Sequence, residues 1–277
     1  MSFSSLQFSG EEKFRQIWLN KKKLQIAPWP EKSLLQIPNY QSHRGYRLPE
    51  GILENTLQAF QASRQQGYTM CEMDVQITKD DEVVVFHDSE IVDDLGVVHS
   101  LRHITYQALQ KIQQKTNSKA MDNQKIPLLK DLLQDPSLVG MNWNIELKSK
   151  SILDFRFESL VLKEVYRARV AERVLFSSFN PASLYFLQKA APDIPRAWLI
   201  SFCVHEKNPF YLRGMWANAF LQPHVLHLDH AYISEGMWAT LRAQSIPVAL
   251  WTINDLEVAK TGLSKGACSI ITDRLTP

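Results

Sequence analysis

The chain has 277 residues, 45% of them hydrophobic and 22% charged, with a formal net charge of +2 at pH 7. That length buries a sizeable core, and α/β barrels take it as a single domain. So small a net charge leaves no electrostatic footprint for nucleic acid or a strongly anionic partner.

In chain order, EEKFRQIWLNKKKLQI (residues 11–26) spaces apolar residues at helical intervals beneath a basic face. The spacing predicts an N-terminal helical extension over 1–37, either a solvated helix packed on the body or a peripheral membrane contact through 11–26. The two prolines of APWPEKS end it. The opening MSFSSLQFSGEEKF lacks the basic start and apolar run of a secretory signal, and no apolar run is long enough to span a bilayer. Cys71, Cys203 and Cys268 stand far apart in apolar surroundings and read as buried free thiols of a reducing compartment. The expected location is cytoplasmic.

From residue 38 the pattern changes to short apolar runs alternating with longer helical ones. IPNYQSHRG reads as a strand ending in a turn, and ENTLQAFQASRQQG as a helix with Asn55 as N-cap and Gly67 as its stop. The strand-like runs YTMCEMDVQI, VVVFHD, WNIELK, VLFSSF, RAWLISF, HVLHLDH, IPVALWTIN and ACSIITD follow, the later ones separated by helical stretches such as PASLYFLQKAA and SEGMWATLRAQ. This alternation predicts a parallel sheet closed into an α/β fold, a (β/α)8 TIM barrel over 38–277. The candidates number nine, however, and TKDDE is too short for a parallel crossover. Either the barrel is irregular there or one candidate lies outside it. Residues 89–125 are too long for an ordinary connection and read as a rim insertion after the strand carrying His87.

Active-site groups of such barrels stand at the C-terminal strand ends. There the sequence places His43 and Arg44, then Glu72 and Asp74, then His87, then Glu146 and Lys148. Residues two apart on a strand share a face, so Glu72 pairs with Asp74 and Glu146 with Lys148. Singly, each has a structural explanation: a hydrogen-bonded histidine, a salt bridge along a strand. Together they converge on one barrel mouth, where charge clusters mark functional sites. Three carboxylates without a soft ligand suit a hard dication, Mg²⁺ or Ca²⁺ with Mn²⁺ as a further candidate. Arg44 and Lys148 beside it suit a phosphate, and two histidines suit a proton relay. The implied reaction is metal-assisted phosphodiester cleavage of a small molecule.

SHRGYRLPEGILENTLQAF followed by CEMDVQITKDDEVVVFHD, then NIELK, SSFN, ALWTIND and IITDRL in that order, resembles the glycerophosphodiester phosphodiesterase family from about residue 41 onward. The resemblance implies a barrel with an insertion after the second histidine. It implies His43 and His87 as the catalytic pair, Glu72, Asp74 and Glu146 as metal ligands, and Arg44 and Lys148 as phosphate contacts. It places Glu54 and Asn55 of the E-N-T element and the aromatic Trp251 at the substrate site. The implied substrate is a glycerophosphodiester, whose glycerol 2-hydroxyl attacks phosphorus to give a cyclic phosphate that water opens. One departure concerns specificity: Leu53 stands where the family commonly has proline, with Pro49-Glu50 earlier in a longer loop.

Other readings are weaker. A glycosidase using Glu146 and Asp74 leaves the histidines and cations without a role. A non-catalytic phosphate-binding barrel needs a missing catalytic group, and none is missing. A lysophospholipase D-like activity stays within the class. Zinc at HVLHLDH is rejected, because His224 and His230 on a strand face away from His227.

Overall fold

Alternation of strand and helix begins with β1 (Tyr40–Ser42) and α1 (Leu57–Gln65) in the computed structural model, which describes residues 23–48, 51–116, 124–203 and 215–277. The cap of α1 is Thr56, whose hydroxyl accepts from the Ala59 amide, one residue beyond the expected Asn55. β2 (Met70–Ile77) follows, buried at every position because both of its faces are covered. The turn at 78–82 then returns β3 (Val83–Val85) antiparallel along β2, with Val75 opposite Val85. VVVFHD is therefore the candidate that lies outside the barrel. So short a link cannot carry a parallel crossover, and the chain folds back instead.

The rim insertion contains a separate antiparallel hairpin, β4 (Glu90–Val92) and β5 (Val98–Ser100), and then α2 (Tyr106–Thr116). Val84, Leu101, Leu109, Ile126 and Leu128 give it a small core of its own. Gln124 ties it to the β1–α1 loop, its side chain accepting from the Leu53 amide and donating to the Gly51 carbonyl.

After α3 (Leu129–Leu133) the units become regular. They are β6 (Asn142–Leu147), α4 (Arg156–Arg167), β7 (Val174–Ser178), α5 (Pro181–Ala190), β8 (Arg196–Ile200), α6 (Asn218–Leu221), β9 (Val225–Asp229), α7 (Glu235–Ala243), β10 (Val248–Trp251), α8 (Leu256–Ser264) and β11 (Ser269–Thr272). Among the described residues, eight parallel strands pair in the order β1, β11, β10, β9, β8, β7, β6, β2. Ser42 opposite Cys71 closes the ring, so the fold is a (β/α)8 barrel.

Strand alternation sorts the side chains. Cys71, Met73, Trp143, Ile145 and Phe176 point outward into one core beneath the helices, with Phe60 edge-on to Trp143 at 5.5 Å. Inside the barrel, Met70, Leu175, Ala197, Val225 and Ala249 fill the lowest layer, and Leu35 packs against them. Above them lies a hydrogen-bonded polar layer. Ser177 donates to Asn144 at 2.8 Å, Asn144 to Gln41 at 3.1 Å, and Gln41 to Ser269 at 3.1 Å. A satisfied buried network of this kind fixes side-chain orientations beneath whatever sits on top.

The N-terminal segment differs from the expected helix in its described part. Residues 23–26 are irregular and clasped to the barrel: Leu24 donates to the Gln244 side chain and Gln25 exchanges two hydrogen bonds with Asn218. Residues 11–22, the basic face, lie outside the described residues. None of the three cysteines forms a disulfide; Cys71 is buried and Cys203 and Cys268 only partly so. Among the described residues no helix is long and apolar enough to cross a membrane.

Candidate active site

Glu72 and Asp74 project inward from β2, and parallel register sets Asp74 opposite Glu146 of β6. One oxygen from each of the three carboxylates lies within 4.8 Å of the others, and all three residues are buried. Burial first, then the charges of Asp74 and Glu146, push Glu72 well above the usual carboxylate range, against the pull of Arg44 and Lys148. Burial raises Glu146 as well. In Asp74 the burial penalty is outweighed by Lys148 and Arg44, and its value falls to about 2. Glu72 Oε1 is buried with no hydrogen-bond partner. Asp74 Oδ1 and Glu146 Oε1 meet Lys148 Nζ at 3.0 and 2.6 Å as ion pairs only. Hard oxygen donors, one of them orphaned, under mutual repulsion fit a divalent cation.

Arg44 takes a left-handed backbone at φ 55, and Gly45 follows at φ 81. A Cβ on Gly45 would stand 2.5 Å from the Ala59 Cβ, so only glycine lets this turn approach α1. The strained turn aims the Arg44 amide at Glu72 Oε2, 3.0 Å away, and its Nε at Asp74 Oδ2, 3.1 Å away. Glu54 holds Arg44 Nη1 at 2.8 Å and also binds Arg47. Asn55 donates to Asp74 Oδ2 at 2.9 Å and accepts from the Asp74 amide. Glu54 and Asn55 thus brace Arg44 and Asp74, and both line a neighbouring cavity rather than the one into which the carboxylates project.

Both histidines are gripped through Nδ1. His43 meets Asp273 Oδ1 at 2.8 Å, and His87 meets Asp88 Oδ1 at 2.7 Å. Asp273 is itself anchored. It accepts from Arg47 at 2.9 Å and from Asn254 at 2.7 Å, while its amide donates to Asn254. Its hydrogen bonds to His43 and Asn254 and the charges of His43 and Arg47 outweigh burial, holding its carboxyl far below the usual range. His87 reaches the mouth because β3 folds back: the Phe86 amide bonds the Asp74 carbonyl at 2.9 Å, and Gln76 holds the His87 carbonyl. With Nδ1 occupied, Nε2 is the remaining nitrogen of each ring, and that of His43 stands 3.9 Å from Glu72 Oε2.

His43, Arg44, Glu72, His87, Glu146, Lys148 and Trp251 all line one cavity of about 130 Å³. Asp74 sits just behind them. Trp251 packs edge-on to Phe179 at 5.6 Å, and its Nε1 has no partner. His227, inward-facing on β9, forms the buried floor, while His224 faces outward and bonds the Arg196 amide, so the three histidines of this strand do not converge. Sequence reasoning missed Asp273, Asp88, Asn254 and Phe179. Only the D of IITD and of FHD, just past the ends of strand-like runs, signalled the two carboxylates.

The fold and site have relatives. A glycerophosphodiester phosphodiesterase of Bacillus altitudinis is 27% identical over 239 residues, 84% of this chain and 93% of that one. A solved glycerophosphodiester phosphodiesterase from Thermotoga maritima superposes with a TM-score of 0.64 at 25% identity, over 86% of this chain and 95% of that one. A phosphodiesterase of Oleispira antarctica, solved with the product sn-glycerol-3-phosphate, shares the fold at a TM-score of 0.68 and 23% identity, over 86% and 93% of the two chains. Fold and relatives together define a barrel phosphoric diester hydrolase. Residues 43–276 match the glycerophosphoryl diester phosphodiesterase family, and the chain belongs to it.

Proposed function

We propose that the enzyme hydrolyses glycerophosphodiesters to an alcohol and sn-glycerol 3-phosphate, with a divalent cation held by Glu72, Asp74 and Glu146 and with His43 and His87 exchanging protons. The carrying observation is the buried carboxylate triad, repelling itself and partly unpaired, beside two fixed cations and two histidines each gripped through Nδ1.

Bound there, Mg²⁺ or Ca²⁺ would supply Lewis-acid polarisation of a phosphoryl oxygen. Arg44 and Lys148 hold the remaining phosphate charge. His43 Nε2 accepts the proton of the glycerol 2-hydroxyl as that oxygen bonds phosphorus, and His87 Nε2 gives a proton to the departing alkoxide. Water then opens the cyclic phosphate with the two roles exchanged. The inner wall of Leu199, Trp251 and Ile271 excludes water from the glycerol carbons. The test is a product assay on glycerophosphocholine and lysophosphatidylcholine with Mg²⁺, Ca²⁺ or Mn²⁺, scoring glycerol 3-phosphate against head group. Release of glycerol 3-phosphate that stops in excess chelator is expected. Full turnover in chelator would remove the metal from the reaction.

A further inference from the structure

A second groove, of about 280 Å³, runs from the catalytic cavity toward solvent and shares His87, Glu146, Lys148 and Phe179 with it. His43 belongs only to the inner cavity, which ends at the buried His227 and Ile271. Attacking and leaving oxygens stand on opposite sides of phosphorus. The three-carbon glycerol half therefore occupies the inner cavity with His43, and the leaving alcohol lies along the groove past His87. At its outer edge stand the exposed Lys150 and Asp88, so a departing group reaches solvent without disturbing the phosphate.

The groove is lined by hydrogen-bonding groups. Ser149 Oγ is buried, at 9% residue exposure, and has no partner. An unpaired buried hydroxyl is destabilising, and a ligand hydroxyl in its reach would recover that cost. Lys150 Nζ donates to Ser89 Oγ at 3.1 Å and keeps further protons to give, and the Ser89 hydroxyl keeps its own. The one aromatic lining it, Phe179, is engaged edge-on by Trp251. A quaternary ammonium needs aromatic faces and offers no hydrogen bond; here both lining carboxylates are engaged, Glu146 by Lys148 and Asp88 by His87, and Lys150 at the outer edge repels it.

We infer that the leaving group is a polyhydroxy alcohol, glycerol or a cyclitol, and that Ser149 is its specificity-determining partner. This rests on the hydrolase reading above. The experiment compares kcat/KM for glycerophosphoglycerol, glycerophosphoinositol, glycerophosphocholine and glycerophosphoethanolamine. The two polyol esters should exceed the choline ester by about tenfold or more, because a site built to bond hydroxyls rejects a group lacking them, and the ethanolamine ester should fall between, its ammonium able to donate but repelled by Lys150. Ser149→Ala should shrink that ratio by about fivefold, and Ser149→Thr should restore much of it. Calorimetric Kd values on the slow His43→Ala enzyme should follow the same order. Equal or higher kcat/KM for the choline ester, or an unchanged ratio in Ser149→Ala, would overturn the inference and leave the hydrolase reading intact. Failure to cleave any of the four would overturn the hydrolase reading, and the inference with it.

Discussion

Replacing Glu72 with Gln keeps the shape of the side chain and removes one charge from a site built around three. Glu72 is 3% exposed, and ligand oxygens of Asp74 and Glu146 lie within 4.8 Å of its own. At an effective dielectric of about 20, each such neighbour repels it by ~3.5 kcal/mol. Arg44 and Lys148 offset most of this, leaving about 1–3 kcal/mol of strain, the range typical of a poorly compensated buried group. In metal-free solution Glu72→Gln should therefore raise Tm, by about 2–4 °C per kcal/mol relieved for domains near this size. Because Glu72 is held above its ordinary value of 4.5, folding takes up a proton there. Its contribution to stability is complete below that ordinary value and is lost as pH rises through the raised folded one. The advantage of Gln thus grows from pH 5 to pH 8. Saturating Ca²⁺ or Mg²⁺ should reverse the ranking, since a ligand at about 100 times its Kd adds about 2.7 kcal/mol to a protein that binds it. Paired thermal melts in chelator and in metal, at both pH values, read this directly. A variant less stable than wild type in chelator at pH 8 would refute the reasoning, because Glu72 would then be a structural carboxylate.

His43→Ala and His87→Ala should each lower kcat by about 10²–10⁴-fold with circular dichroism unchanged, and an unaffected rate at either position would remove that histidine from the relay. Asp273→Asn keeps a polar partner at His43 Nδ1 but offers it the wrong hydrogen-bonding pattern. It should lower kcat by about 10²-fold or more with KM little changed, and Asp273→Ala should be no better. A loss confined to KM, or an equal loss in thermal stability alone, would make Asp273 a structural anchor.

The parts of the site legible in the sequence were those set by local geometry. Glu72-x-Asp74 and Glu146-x-Lys148 follow from strand alternation, which needs only the knowledge that the segments are strands. The parts that escaped depend on which elements meet. Asp273 acts on a residue 230 positions earlier, a contact made only by the pairing of β1 with β11. Glu54 and Asn55 were placed in the right neighbourhood, but nothing local shows that their side chains turn back onto Arg44 and Asp74. β3 was read as a strand by its valines, but its direction follows from the shortness of the turn before it. That irregularity is what carries His87 to the mouth.

The junction of β1 with β11 also sets when His43 gains its partner. His43 follows the first barrel strand and its anchor Asp273 follows the last, and β1 offers only Tyr40–Ser42 to hold the seam between them. Non-local pairings of this kind form late, after intervening units have collapsed. A nascent chain on the ribosome that has all three carboxylates but not yet β11 carries an unanchored His43. With His43 in its proposed role, hydrolytic competence is tied to completion of the ring, and activity would report closure rather than partial folding.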